Sequence, residues 1–272
     1  MDYHFPVLIN EVLDLLQVNS GKTYIDATLG NGGHTLEILN HGAKVIAFDA
    51  DIDNINIAKN RINNKNLTII NDNFANIDKH IKQKVDGILF DLGLSVNQQK
   101  GVGKGFSFND PESLDMRLLK DNPSAQEIVN TYPKEEIFKI LSFYAQEKNS
   151  RLISQLIVKH RPFHNALELA DMIRANLPKT SKIDSATKTF LALRIFVNDE
   201  FNNLKTALDK SLFLVKKGGT VCVISFHSGE DRIVKQFIRK HHLKTTMILP
   251  SIIEIKNNPL SRSSVLRSFQ IE

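Results

Sequence analysis

Short β-rich runs alternate with helical patterns through the first third of the chain, and this alternation limits the possible folds more than any other feature. The runs, near residues 23, 44, 67 and 86, read TYIDAT, KVIAFDAD, LTIIND and DGILFDLG. Helical patterns lie between them at about residues 33–40 and 52–62. Strands separated by helices pair in parallel, and the helices cover both faces of the sheet. We therefore predict a doubly wound α/β domain, preceded by a helix over residues 6–16 with Pro6 in its first turn.

The alternation stops after Gly93. A loop rich in Gly, Asn, Ser and Lys runs to about residue 122, and SAQE at residues 124–127 has the spacing of a helix start. Two apolar helix faces follow, formed by Ile137, Ile140, Leu141 and Tyr144 and then by Leu152, Ile153, Leu156 and Ile157. Since no β-rich run accompanies them, we predict an inserted helical domain of residues 106–199.

The α/β pattern returns at about residue 200. A long helix, then Gly218-Gly219, then the β-rich run TVCVISF follow one another there. The α/β domain is therefore predicted to be discontinuous, with residues 1–105 and 200–272 on either side of the insertion.

The composition is that of an ordinary globular protein with a mild basic excess. Hydrophobic residues make up 42% and charged residues 24% of the 272 positions, and the formal net charge is +5. No uncharged run approaches the ~20 apolar residues of a membrane span, and the N-terminus lacks a secretory signal pattern. The single cysteine, Cys222, excludes an internal disulfide and a zinc site with several cysteines. We expect a cytoplasmic protein with no metal site and no membrane partner.

Basic residues are concentrated in two parts of the sequence. Arg151, Lys159 and Arg161 form the first group, and the second consists of Arg232, Lys235, Arg239, Lys240 and Lys244. Such groups suit a polyanionic partner, but they also suit a solvated helix face. The charge pattern leaves both interpretations open.

The stretch YIDATLGNGGHT, residues 24–35, ends the first β-rich run in a glycine-rich turn. Glycines let a ligand lie against exposed N–H groups, although a plain strand-to-helix turn has the same composition. A dinucleotide fingerprint starting at Gly30 would need a glycine at Thr35. Asp26 fits poorly beside a pyrophosphate but suits the ammonium group of a methionine. Asp49 suits the ribose hydroxyls of either cofactor, so the balance favours S-adenosylmethionine.

Motifs spread over nearly the whole chain resemble the MraW family of bacterial 16S ribosomal RNA cytosine-N4 methyltransferases. In chain order they are PVLINEVL, DATLGNGGHT, FDAD, DGILFDLGLS, GFSF with LDMR, ATKTFLALRIFVNDE, ISFHSGEDRIVKQF and NPLSRSSVLR. The resemblance implies a Rossmann-like, class I sheet that depends on S-adenosylmethionine, with an inserted all-helical substrate-recognition domain. It also implies 16S ribosomal RNA within the small ribosomal subunit as the partner, and a cytidine N4 in the decoding region as the methylated atom. A homodimer is a further expectation.

By the same resemblance, seven residues contact the cofactor: Gly32, Gly33, His34, Asp49, Phe74, Asp91 and Gln98. The two glycines and His34 would line the methionine end, Asp49 would bind the ribose, and Phe74 would lie beside the adenosine. Structural interpretations remain open for three of them. His34 would then be a helix cap, Phe74 a core residue and Asp91 a turn residue.

A cytosine amino group is a weak nucleophile because its lone pair is delocalised into the ring. Hydrogen-bond acceptors that hold its N–H groups would expose that lone pair, and we expect them in the loop after the fourth β-rich run. The catalytic candidates are Asp91, Ser95, Asn97 and, after the fifth run, His227. In SFHSGEDR, however, Ser228 and Asp231 have the spacing of a simple helix cap. Gly229 stands where the family has a leucine, which predicts a looser helix start.

Three arginines, Arg117, Arg194 and Arg232, are candidate contacts to RNA phosphates. Salt bridges to Asp115, Glu200 and Asp231, respectively, explain the same residues equally well.

Two other functions compete with methyl transfer to RNA. A nicotinamide-dependent oxidoreductase is disfavoured by Thr35 and Asp26, and a basic RNA-binding module without activity would keep the pocket only as a scaffold. Among methyl transfers, reaction at carbon 5 of cytosine normally requires a cysteine thiolate. Cys222 lies in an apolar run, which predicts a buried and inert thiol.

Overall fold

The computed structural model describes residues 5–119, 121–177 and 183–272. The chain divides into two units, one of Met1–Ser95 with Phe201–Glu272 and the other of Val96–Glu200. The second unit begins at Val96 and not at residue 106, because a short helix directly after Ser95 belongs to it. Within the described residues, no helix has the length and apolarity needed to cross a membrane.

The first unit contains every strand found in the described residues. These strands are β1 (Thr23–Asp26), β2 (Lys44–Asp49), β3 (Leu67–Asn71), β4 (Val85–Asp91), β5 (Val215–Ser225), β6 (Thr245–Ile248) and β7 (Val265–Gln270). They form one sheet in the order β3-β2-β1-β4-β5-β7-β6. The first five strands are parallel, and β7 runs antiparallel to both β5 and β6. The predicted α/β class is therefore confirmed, but the sequence analysis did not anticipate β6 and β7.

The helices connect these strands and also make up the second unit. In chain order they are α1 (Ile9–Leu16), α2 (Gly33–Asn40), α3 (Ile52–Arg61), α4 (Ile77–His80), α5 (Val96–Lys100), α6 (Ala125–Thr131), α7 (Lys134–Ala145), α8 (Ser150–His160), α9 (Ala166–Asn176), α10 (Thr187–Val197), α11 (Glu200–Leu214), α12 (Ser228–Lys240) and α13 (Ile252–Asn257). Short 3₁₀ turns cover Phe74–Asn76 and Pro259–Ser263. Helices α5 to α10 lie in the second unit, where the described residues form no strand.

The helix predicted over residues 6–16 is shorter than expected. It begins at Ile9, because Leu8 has a left-handed φ of 53° and interrupts the helical path after Pro6. Val12 and Leu16 are buried on the face that packs on β4 and β5. Burying each such side chain contributes roughly 1.5–3 kcal/mol, so this short helix is held by its apolar face.

The helices of the second unit pack through the faces that the sequence indicated, with one exception. Ser124 caps α6, since its Oγ accepts the Glu127 N–H at 3.1 Å. Helix α7 packs against α8 and α10 through a face that includes Ile137. Leu152 was expected on the apolar face of α8, but it is 43% exposed.

Three carboxylates lie at the carboxyl ends of the central strands. Asp26 ends β1, Asp49 ends β2, and Asp91 ends β4, and β1 lies between the other two strands. The strand order reverses at β1 and β4, because the chain moves outward from β1 to β3 and then returns to β4. Ligands of open α/β sheets bind at such a reversal, outside the carboxyl ends of the strands.

Candidate active site

The glycine-rich turn joins β1 to α2 at this edge of the sheet. Gly30 has a φ of 51° and Gly32 a φ of 79°, a left-handed region in which side chains are strained. At Gly32 a Cβ atom would also lie 2.6 Å from Ile62 Cδ1. Gly33 is the first residue of α2, directly after this turn. The turn therefore needs small residues at its centre, and it leads into the N-terminus of a helix.

Asp26 is the buried anchor of the turn. Its carboxylate accepts the Thr35 hydroxyl at 2.7 Å and the Thr28 N–H at 3.1 Å, and the residue is 1% exposed. Burial raises the pKa of Asp26, and the charge of His34 and these two donors oppose the rise. We expected Asp26 to suit a ligand ammonium group. In the structure its carboxylate is instead hydrogen-bonded within the turn, and almost none of its surface is accessible to a ligand.

Asp49 connects the end of β2 to the turn. Its Oδ2 accepts the Gly30 N–H at 2.8 Å and the Asn54 amide at 3.2 Å, and its Oδ1 accepts the Asp51 N–H at 2.8 Å. Burial raises the pKa of Asp49 to about 6, although these donors oppose it. A carboxylate offers about four lone-pair positions, so three internal donors leave it able to accept from a ligand.

The buried His34 forms an ion pair with the half-buried Asp91 beside the turn. His34 Nδ1 lies 3.4 Å from Asp91 Oδ2, and His34 Nε2 lies 3.0 Å from the Val7 carbonyl oxygen. Burial alone would lower the pKa of His34, but the hydrogen bond and charge of Asp91, the charge of Asp26 and the Val7 carbonyl together raise it. Because both ring nitrogens face acceptors, the site favours an imidazolium that donates from both. His34 is therefore not a helix cap.

Asp91 retains one acceptor that the described residues do not use. Its backbone N–H donates to Thr28 Oγ1 at 2.7 Å, which ties the end of β4 to the turn after β1. Its Oδ1 is shielded from solvent and has no hydrogen-bond partner among the described residues. A buried carboxylate oxygen without a partner is costly, so it favours a ligand that brings an N–H donor.

A relay of hydrogen bonds extends the site from Asp49 to the loop after β4. Ser95 Oγ donates to Asn54 Oδ1 at 2.9 Å, and the Asn54 amide donates to Asp49 Oδ2 at 3.2 Å. Asn54 lies in α3 and is 2% exposed. The sequence analysis did not identify Asn54. Its only local signal is that a polar side chain stands on the buried face of a helix.

Phe74 lies beyond β3, in the short 3₁₀ turn. Asn73 begins that turn by accepting the Ala75 N–H at 2.8 Å. The Phe74 ring meets Phe90 edge to face, with the ring centroids 5.7 Å apart. Phe74 is only half-buried, so it keeps a surface for a planar ligand in addition to its packing contact.

The two remaining candidates after β4 belong to the second unit. Asn97 and Gln98 both lie in α5, and Gln98 is 6% exposed. Their roles in catalysis and cofactor binding stay predictions.

His227 begins α12 at the carboxyl end of β5. Its Nδ1 accepts the Gly229 N–H at 3.2 Å, and Glu230 Oε2 accepts the Phe226 N–H at 2.8 Å. The helix cap is thus formed by His227 and Glu230, and the cap that the sequence suggested, Ser228 with Asp231, is wrong by one residue. At Gly229 a Cβ atom would lie 2.6 Å from the Phe201 ring, so the glycine fits a closely packed helix start, not a loose one.

Two of the three arginine candidates are held in ion pairs. Arg117 Nε lies 2.5 Å from Asp115 Oδ1, and Arg194 Nε lies 2.7 Å from Glu200 Oε1. For these two, the salt-bridge interpretation is the one that the structure bears out. For the third, the carboxylate of Asp231 pairs with Arg267 and Lys235, and the side chain of Arg232 is exposed.

Comparison with known proteins gives a consistent result. The profile of the MraW methylase family matches residues 1–272. The chain is 40% identical to the ribosomal RNA small subunit methyltransferase H of Thermosipho melanesiensis, over 98% of this chain and 97% of that protein. It is 42% identical to the protein of the same name from Petrotoga mobilis, over 96% and 98% of the respective chains. The solved structure of precorrin-6y C5,15-methyltransferase from Geobacter metallireducens matches with a TM-score of 0.50, covering 97% of this chain and 88% of that one. That likeness, at 8% identity, concerns the fold alone.

Proposed function

The chain belongs to the MraW methylase family, and we propose that it is an S-adenosylmethionine-dependent methyltransferase that modifies the exocyclic N4 of a cytidine in the decoding region of 16S ribosomal RNA. The observation that carries this proposal is the position of Asp49 and Asp91. They end β2 and β4, on either side of the glycine-rich turn that follows β1. A cofactor with a ribose and an amino-acid end needs acceptors at two such separated positions.

The residues of the first unit fit S-adenosylmethionine. Asp49 would accept from the ribose hydroxyls, and Phe74 would lie beside the adenine. The methionine end would meet the turn at Gly32 and Gly33, near Asp91, whose unpartnered Oδ1 would accept either from its ammonium group or from the target amino group. When bound, the cofactor supplies an electrophilic methyl group on a sulfonium. The protein supplies orientation, which contributes up to roughly 7–11 kcal/mol in well-aligned reactions.

The loop after β4 would orient the target amino group. Ser95 donates its hydroxyl proton to Asn54, so the Ser95 oxygen is oriented as an acceptor. The Asp91 carboxylate, which pairs with His34, accepts an N–H but does not donate. Acceptors of this kind would hold the amino hydrogens and leave the nitrogen lone pair directed outward. We propose Asp91, Ser95 and Asn97 for this role, with His227 orienting the base or a phosphate.

The only cysteine supports reaction at nitrogen. Cys222 lies within β5 and is 0% exposed, and its burial raises the pKa of the thiol far above neutrality. A thiol of this kind supplies almost no thiolate, which addition to carbon 6 of cytosine requires before carbon 5 can be methylated.

We propose further that the second unit recognises the RNA and that the substrate is 16S RNA within the small ribosomal subunit. Such a substrate is met in the cytoplasm, where we place the reaction. Extruding a base from its stack costs a few kcal/mol, so recognition of the surrounding RNA has to compensate for it. A homodimer remains a prediction.

Nucleoside mass spectrometry tests the proposal directly. Small subunits from cells lacking the protein are incubated with purified protein and methyl-labelled S-adenosylmethionine, and the 16S RNA is then digested. The label should appear in N4-methylcytidine. Label in 5-methylcytidine would contradict the N4 assignment. Cofactor binding without any labelled nucleoside would favour the RNA-binding module, and absence of cofactor binding would exclude the methyltransferase.

A further inference from the structure

A cavity lined by both basic and apolar side chains lies on the first unit, away from the glycine-rich turn. Its volume is about 410 Å³, and the second half of α12, the segment after it and β7 surround it. The polar side chains that line it are those of Lys235, Arg239, His242, Thr245 and Arg267. None of these residues contributes to the cofactor site described above. The cavity therefore needs its own explanation.

The charge of this cavity is unbalanced. Three cations, Lys235, Arg239 and Arg267, line it. The carboxylate of Asp231 pairs with two of them, at 3.3 Å from Lys235 Nζ and 2.6 Å from Arg267 Nε. Among the described residues, neither Arg239 nor His242 forms an ion pair. Three positive charges against one negative charge leave a net charge of +2 even when His242 is neutral. Such an excess attracts an anion.

Arg267 gives the cavity a fixed donor. It lies in the middle of β7, opposite Val223 of β5 and Met247 of β6, and its side chain is 13% exposed. The described contacts of its guanidinium involve Nε alone, held by Asp231. An arginine that is oriented by a carboxylate has little freedom to lose when its remaining N–H groups bind a phosphate.

Each of two cations has its own local explanation. These explanations do not account for the presence of all the cations at one cavity. Lys235 forms an ordinary helix pair with Asp231, four residues away, and Arg239 lies in the last turn of α12, where a cation offsets the helix dipole. Neither reason brings them to the same cavity as His242 and Arg267. A helix advances 1.5 Å per residue, so Lys235 and Arg239 lie roughly 10–17 Å along α12 from the cofactor end of the sheet.

We propose that this cavity binds a backbone phosphate of the RNA substrate at a position remote from the methylated base. This inference rests on the proposed function, because it takes ribosomal RNA as the substrate. A phosphodiester is small enough for the cavity, and its negative charge is attracted by the positive excess. The contact would fix the direction of the RNA strand without reading its sequence.

The dependence of RNA binding on salt tests the inference. The variant carries Lys235→Gln with Arg239→Gln, and the control carries Lys65→Gln with Lys82→Gln, two exposed lysines outside the cavity whose loss changes the net charge equally. Affinity for small ribosomal subunits is measured between about 50 and 200 mM salt. The slope of log K against log salt should fall by about 0.7–0.9 for each lost phosphate contact in the cavity variant and stay unchanged in the control. The KM for RNA should rise while kcat and the affinity for S-adenosylmethionine stay constant.

Arg239→Gln alone gives a second test, because it breaks no ion pair among the described residues. It should reproduce part of the change in slope while the cofactor affinity confirms an intact fold. Equal effects of the cavity and control variants, in a protein that methylates RNA, would overturn this inference alone. A wild-type protein that binds the cofactor but neither binds nor methylates RNA would overturn the proposed function as well.

Discussion

His34 and Asp91 are joined across the site by an ion pair, with Nδ1 of the imidazole 3.4 Å from Oδ2 of the carboxylate. The pair links the first turn of α2 to the end of β4. It holds the Asp91 carboxylate at the place where the proposed reaction needs an acceptor. The pair therefore connects the geometry of the glycine-rich turn with the protonation state of the site.

The first prediction concerns the pH range in which this pair stabilises the fold. The pKa of His34 is raised above its unfolded value of about 6.5, so the stabilisation is complete below that pH and is lost as the pH rises through the folded pKa. In Asp91→Asn, the NMR titration of the His34 ring should move to lower pH. The free energy of unfolding should fall by roughly 1–3 kcal/mol at pH 6. An unchanged titration of the ring would contradict the ion pair.

The second prediction concerns Asp49 as the ribose acceptor. Each hydrogen bond to a charged acceptor contributes roughly 1.5–3 kcal/mol, so Asp49→Ala should weaken the affinity for S-adenosylmethionine at least about tenfold. Calorimetry measures the affinity, and circular dichroism checks the fold. Asp53→Ala, which removes an exposed carboxylate from the same helix start, serves as the control and should bind normally. Normal binding by Asp49→Ala would rule out the assignment.

The third prediction concerns the pH dependence of cofactor binding through Asp49. Burial raises the pKa of Asp49 to about 6, so the fold loses stability as the pH rises from the unfolded pKa of about 3.9 to about 6, and the loss is constant above that. Cofactor binding requires the charged form, because only the carboxylate accepts from both ribose hydroxyls. The affinity for S-adenosylmethionine should be constant above about pH 7 and should fall up to about tenfold per unit below pH 6. Calorimetry between pH 5 and 8 measures this midpoint, and Asp49→Asn should abolish the dependence.

The fourth prediction separates Asn54 from Ser95. The Asn54 amide donates to Asp49 and lowers its pKa, so Asn54→Ala should move the pH midpoint of cofactor binding upward. Ser95→Ala leaves that amide in place and should keep the midpoint, although it should slow methyl transfer if Ser95 orients the amino group. The same midpoint in Asn54→Ala and wild type would show that the relay does not tune Asp49.

The fifth prediction concerns the cysteine. Cys222→Ala should retain methyl-transfer activity and lose about 1 kcal/mol of stability, because a smaller side chain leaves a small void in β5. The digest of the labelled RNA should still contain N4-methylcytidine. A well-folded but inactive Cys222→Ala protein would show that the thiol takes part in the chemistry.

The parallel strands were predictable because each is a short apolar run next to a helical pattern. Strand β6 was not predictable, since it is mostly exposed and carries two threonines at its start, Thr245 and Thr246. An edge strand of this kind lacks the apolar run that marks a buried strand. Its position depends on pairing with β7, which follows in the sequence only after α13.

The positions of Asp49 and Asp91 at strand ends followed from the sequence, but their partners did not. Ser95 reaches Asn54 across 41 positions of sequence, and Asp231 reaches Arg267 across 36. Such contacts arise when the sheet brings distant segments together, and no local spacing records them. Arg117 with Asp115 is the opposite case, because two residues of separation keep the charges close in many conformations.

Strand β7 lies between β5 and β6, so the order in which the polypeptide is made differs from the order in which the sheet is arranged. During translation, β1 to β4 emerge first, and then the whole of Val96–Glu200, before β5 can join β4. The second unit is continuous in sequence, so all of it is made while the first unit is still incomplete. The nascent sheet keeps an unpaired edge, first on β4 and then on β5, until Val265–Gln270 has left the exit tunnel, and an unpaired edge of this kind can template aggregation.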